Sequence, residues 1–149
     1  MSGGVSIKFH GLKELDQAIN KLPKELQRKA YRSVLSTGAR VIAKNAKRHV
    51  TVDSGNLKKA IGIKVNAKRG TPVAIIGVKR VTSVNINSKK KTAVNYAKNV
   101  EQGTAYTEAR PFIRPAVDES ANEVLSKMAH GLNRFMDRAV KKLKTKGKF

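Results

Sequence analysis

The chain has 149 residues, 32 Lys and Arg against 10 Asp and Glu, a net charge of +22, and neither Cys nor Trp. Without cysteine there is no disulfide scaffold, no thiolate metal site and no cysteine nucleophile, while a 40% hydrophobic content sets the chain apart from a disordered polycation. At this length a single domain over residues 1–149 is expected, burying roughly two-thirds of the unfolded surface. The longest apolar run, Val73 to Ile76, is far shorter than the roughly 20 residues of a membrane span. Met1 to Val5 has no charged start leading into an apolar run, so no signal peptide is read. A soluble protein made inside a cell, with no membrane partner, is expected.

Taken along the chain, Val5, Ile7 and Phe9 alternate with polar residues, the period of a half-buried strand. Leu12, Leu15, Ile19 and Leu22 then recur at helical spacing. Pro23 breaks that helix and suits the start of the next, which runs from Lys24 to about Val50 on a stripe of Leu26, Ala30, Val34, Val41 and Ile42. Gly38 inside it costs about 1 kcal/mol relative to Ala, a loss that a close helix contact would offset. Thr51 to Gly55 is turn chemistry, and Leu57 to Ile61 predicts one helical turn. Ile61, Ile63 and Val65 alternate, Val73 to Val78 is a second β-like run, and Asn66 to Pro72 between them predicts a hairpin with a basic tip.

Lys79 to Ala93 is polar, basic and weakly periodic, and reads as a long loop or extended arm. Val94 to Gln102 predicts a short helix closed by Gly103. Arg110 to Pro115 reads as extended, because each proline restricts the residue before it. A last helix is expected from about Ala116 to Leu143, on a stripe of Val117, Ala121, Val124, Leu125, Met128, Leu132, Phe135, Ala139 and Leu143, with Asp118, Glu119 and Glu123 in its first turns. Residues 141–149 form a basic C-terminal tail. The fold class is α+β: two long helices packed on a small antiparallel sheet, with a basic hairpin or extended arm.

The charge is unevenly spread. From Ser54 to Val100 there is no Asp or Glu in 47 residues, and 11 Lys or Arg. Two readings compete, a solvated basic surface and contact with polyphosphate through counterion release. Arg is scarce in this stretch and Tyr96 is its one aromatic, so reading or stacking on bases is disfavoured against sequence-independent contact with a duplex backbone.

Catalytic constellations are missing from the sequence. His10, His49 and His130 have no ligand spacing, and no phosphate-cradling Gly-rich loop or nucleophile elbow is present. A two-metal nuclease would need a carboxylate cluster. Asp118, Glu119 and Glu123 are the dense set, and a helix start explains them without metal. No enzyme, metal site or cofactor is expected.

The most informative segment is Tyr96-Ala97-Lys98-Asn99-Val100-Glu101-Gln102-Gly103-Thr104, followed by Ala109-Arg110-Pro111-Phe112-Ile113-Arg114-Pro115-Ala116. It resembles the signature of a family of small tail-component proteins of long-tailed bacteriophages and prophages, found in the neck between head and tail. Gln102 stands where that family commonly has an aromatic. Upstream, Gly11 to Leu15, Leu22-Pro23 and Val52-Asp53-Ser54-Gly55-Asn56-Leu57 also resemble it, so the likeness covers nearly the whole chain.

The resemblance implies a structural virion protein, made in the host cytoplasm. It would form a homo-oligomeric ring at the head–tail junction, a hexamer or dodecamer, next to neck and tail-tube proteins and packaged double-stranded DNA. Lys68, Arg69, Lys79, Arg80, Lys89, Lys90 and Lys91 are the expected DNA-facing residues. Tyr96, Glu101, Gly103, Arg110, Pro111, Phe112, Arg114 and Pro115 are expected to be structural or to lie at a subunit interface, with Glu101 pairing Arg110 or Arg114 within the subunit or across to a neighbour. Composition alone points instead to a free-standing, sequence-independent nucleic-acid-binding protein.

Overall fold

A computed structural model describes residues 11–50, 55–67, 71–79, 83–86 and 89–145. In chain order these form α1 (Leu12–Asn20), α2 (Lys24–His49), α3 (Asn56–Ala60), β1 (Ile61–Asn66), β2 (Val73–Val78), β3 (Ser83–Ile86), β4 (Lys89–Thr92), α4 (Ala93–Gln102) and α5 (Ile113–Thr145). The strand expected at Val5 to Phe9, the turn residues 51–54, the hairpin tip 68–70 and residues 146–149 lie outside the described set.

The fold is α+β, with α2 at its centre. Pro23 opens α2, its carbonyl accepting from the Leu26 and Gln27 N–H groups at 2.8 and 3.1 Å. Glu25 stands in the first turn and Lys47, Arg48 and His49 in the last, as the helix dipole favours. One flank of α2 packs on α5. Thr37 meets Gly131, Gly38 meets Met128, Asn45 meets Ser120 and His49 meets Glu119, so the two helices run antiparallel.

Gly38 shows why they come so close. A Cβ built there would lie 2.8 Å from the Met128 Sδ and 3.2 Å from the Val124 Cγ1. The missing side chain is the space Met128 fills, which is the close contact expected to offset the glycine's helical cost. Ile19, Ala30, Val34, Ile42, Val117, Val124, Met128 and Leu132 form the core on this flank.

A second core joins the end of α2 to the sheet and to α4. Ala43, Ala46, Val50, Leu57, Ile61, Ala97, Phe112 and Ala116 are its buried members. The β1–β2 hairpin is antiparallel, with Ile61 opposite Val78, Ile63 opposite Ile76 and Lys64 opposite Ile75. Ile63, Ile76 and Val78 pack inward, while Lys64, Asn66, Val73 and Ile75 are exposed, the two-residue period of a half-buried sheet.

Two sequence expectations change here. Within 79–93 the described residues are not one long loop: β3 and β4 pair antiparallel, with Ser83 opposite Thr92 and Ile86 opposite Lys89, and Ala93 opens α4. The pair lies against α4, which follows β4 directly. Weak apolar periodicity hid these strands, since backbone pairing needs no apolar face. The second change is at α5, which begins at Ile113 rather than Ala116 and so includes Arg114 and Pro115. Proline in a first turn removes an N–H that has no intrahelical partner there, so the ring costs little. Asp118, Glu119 and Glu123 consequently sit beyond the first turn, which contains no acid of its own.

Candidate functional site

The joint between α4 and α5 carries the sequence motif, and its geometry gives several of the residues a task. α4 ends at Gln102, and Gly103 follows at φ +75°, with its N–H donating to the Asn99 carbonyl at 2.8 Å. A Cβ on Gly103 would lie 2.9 Å from the Ala109 backbone nitrogen, so both the angle and the space require glycine. Thr104 and Thr107 then pair across a tight turn, and the Arg110 N–H returns to the Val100 carbonyl at 2.7 Å. The chain is thus laid back along α4 before α5 starts.

Glu101 closes the joint. Its Oε2 accepts from the backbone N–H groups of Phe112 and Ile113 at 2.8 and 3.1 Å, and its Oε1 from that of Arg114 at 3.3 Å. These are donors that a helix start leaves without partners. A carboxylate there also meets the positive end of the helix dipole. Within the subunit, the partner of Glu101 is thus the α5 backbone rather than the Arg110 or Arg114 side chain. The sequence held a signal for this, because Arg110, Pro111 and Phe112 offer no capping side chain to a helix beginning at Ile113, so the acceptor had to come from elsewhere.

Phe112 is 1% exposed, locked in the second core with Tyr96 packed beside it. Pro115 is half-buried, whereas Arg110, Pro111 and Arg114 face solvent. The motif therefore divides into residues that hold the joint together and an exposed trio that the fold leaves free of a structural task.

A buried polar pair, not anticipated from sequence, locks α2 to α5. The Asn45 Nδ2 donates to the Ser120 Oγ at 2.6 Å, and the Ser120 hydroxyl donates in turn to the Ala116 carbonyl. The only clue was that both fall on apolar helical stripes. At the other end of α2, the Tyr31 hydroxyl donates to Asp16 at 2.5 Å and lies 3.0 Å from the Asn20 Oδ1. Burial, reinforced by the Asp16 carboxylate, pushes the Tyr31 pKa up from 10.0 to about 12.

The charge map is lopsided. Among the described residues one contact joins a basic and an acidic side chain, the hydrogen bond between the His49 Nε2 and the Glu119 Oε2 at 2.9 Å. Of the expected DNA-facing set, Lys68, Arg69 and Arg80 lie outside the described residues. Lys79 is exposed, and its chain lies over Gly62, where a Cβ would come 2.9 Å from its Cε. Lys89, Lys90 and Lys91 occupy β4, opposite Ile86, Asn85 and Val84. Lys58, Lys59, Lys64 and Lys98 are also exposed.

Among the described residues no group of three or more His, Asp or Glu is placed to hold a metal ion. Asp118, Glu119 and Glu123 are exposed, and His130 stands apart from His49 on α5. No described helix is long and apolar enough to cross a membrane.

The sequence profile of one protein family, described as "Bacteriophage HK97-gp10, putative tail-component", matches residues 13–103. The chain belongs to the HK97-gp10 family. The match runs from α1 to the glycine that closes α4, and so takes in α2, both hairpins and Glu101. Membership makes the protein a phage tail component, which implies a place in the virion. No curated protein and no solved structure matches the chain.

Proposed function

We propose that this tail component assembles as a closed ring of identical subunits at the head–tail junction and contacts the packaged DNA there without reading its sequence. One observation carries the reading: the carboxylate-free stretch from Ser54 to Val100, with its 11 Lys and Arg, lies inside the segment that defines the family. A tail component with a cationic surface of this extent has an acidic partner at hand in packaged DNA. The β3–β4 pair supports the reading, since it places Lys89, Lys90 and Lys91 in succession on one short strand beside α4.

Ring closure needs a heterologous interface, with different patches meeting on neighbouring copies. Arg110, Pro111 and Arg114, exposed and without a task inside the subunit, supply one side of it. The opposing side offers carboxylates such as Asp118 and Glu123, both exposed on α5. Adjacent neck and tail-tube proteins would cover the ring's two ends.

Electron microscopy of particles built with K89E/K90E/K91E tests both halves of the proposal. Intact rings together with faulty DNA retention or ejection are the expected result. Loss of the ring would make the hairpin a subunit contact and overturn its DNA assignment. A purified monomer that shifts DNA and never enters particles would favour the free-standing nucleic-acid-binding protein instead.

A further inference from the structure

The first half of α2 crosses the far end of β1 and leaves a cleft of about 280 Å³, lined by Arg28, Arg32, Lys64, Val65, Asn66 and Ala67. Arg28 and Arg32 are one helical turn apart and both exposed. Neither guanidinium forms a salt bridge or a side-chain hydrogen bond to another described residue, Glu25 included. Like charges at this spacing destabilise a helix slightly, and an anion between the two guanidiniums would relieve that repulsion.

We propose that this cleft is a phosphate-binding site for the backbone of duplex DNA, separate from the β3–β4 hairpin. The inference deepens the proposed DNA contact and rests on it. Guanidinium forks match phosphate oxygens in pairs, and two of them a turn apart can hold one phosphodiester from both sides. Val65 and Ala67 give the cleft a small apolar lining, and among the described residues no aromatic side chain lines it to stack an unpaired base.

A second copy of the chain is a poor occupant. The chain carries 10 Asp and Glu against 32 Lys and Arg, so a second copy approaches the cleft against net charge repulsion. A polyanion from outside the chain fits the charge.

The test measures binding of a fluorescent duplex of about 25 base pairs at two salt concentrations for the wild type, R28Q/R32Q, K89Q/K90Q/K91Q and a charge-matched control, K141Q/K142Q. One lost phosphate contact should lower the salt slope by about 0.9, so between 50 and 200 mM salt the wild type should lose roughly 3.5-fold more affinity than R28Q/R32Q. Circular dichroism of each variant checks that the exposed substitutions leave the fold intact.

If R28Q/R32Q behaves like the control while the hairpin variant weakens, the cleft assignment is overturned and the proposed function stands. If R28Q/R32Q weakens and the hairpin variant does not, the cleft stands and the hairpin's role falls. A wild type that does not bind the duplex overturns both. Tighter arginine-dependent binding to poly-glutamate than to DNA would make the occupant an acidic protein and overturn the assignment.

Discussion

Removing the Glu101 carboxylate should weaken the protein through the α4–α5 joint. The side chain satisfies three N–H groups of α5, two at good distances of 2.8 and 3.1 Å and one longer at 3.3 Å. In E101A these donors turn to water where they can reach it, yet Phe112 beneath them is buried, so its N–H is the hardest to resolvate. Loss of a helix cap costs about 0.5–2 kcal/mol, and a charged cap with several donors belongs near 2. For a chain of this size about 1 kcal/mol moves Tm by about 4 °C, which puts E101A about 8 °C below wild type.

E101Q keeps acceptor capacity but loses the charge facing the dipole, so about half that shift is expected. Differential scanning calorimetry reads both variants. The companion variant R110Q/R114Q should melt with wild type, because neither guanidinium is a partner of Glu101. A Tm for E101A within a degree of wild type, or an equal loss in R110Q/R114Q, would refute the capping argument.

Glycine substitutions should separate by what surrounds them. G38V drives a branched side chain into Met128 and Val124 and should cost about 1–3 kcal/mol, read as a lower urea midpoint at unchanged slope. G77T meets open space on β2 and should raise that midpoint, because strand glycines are entropically costly. Tyr31 gives a pH signature. Its phenol, raised from 10.0 to about 12, favours the neutral folded form, so its contribution is complete below pH 10 and is lost as pH rises through about 12. Ultraviolet titration of phenolate should show a phase near pH 12 that Y31F removes, and persistence of that phase in Y31F would sink the assignment.

The sequence alone determined the elements whose signal is local. The stripe through Ala30, Val34 and Ile42, with acid at the front and base at the back, specified α2 almost to the residue. Alternation of Ile61, Ile63 and Val65 specified β1, and Gly103 marked the left-handed turn that closes α4. These features follow from periodicity and backbone angle, which neighbouring residues impose on one another. Tertiary structure alone decided where long-range partners met. Glu101 looked like a salt-bridge residue, yet it caps a helix that starts 12 residues later. Asn45 and Ser120 looked like blemishes in two apolar stripes until packing placed them 2.6 Å apart. Arg28, Arg32 and β1 came to share a cleft only once α2 crossed the hairpin. A hydrogen bond or a charged cleft depends on the position of both partners, and no local pattern in a chain records the position of the second.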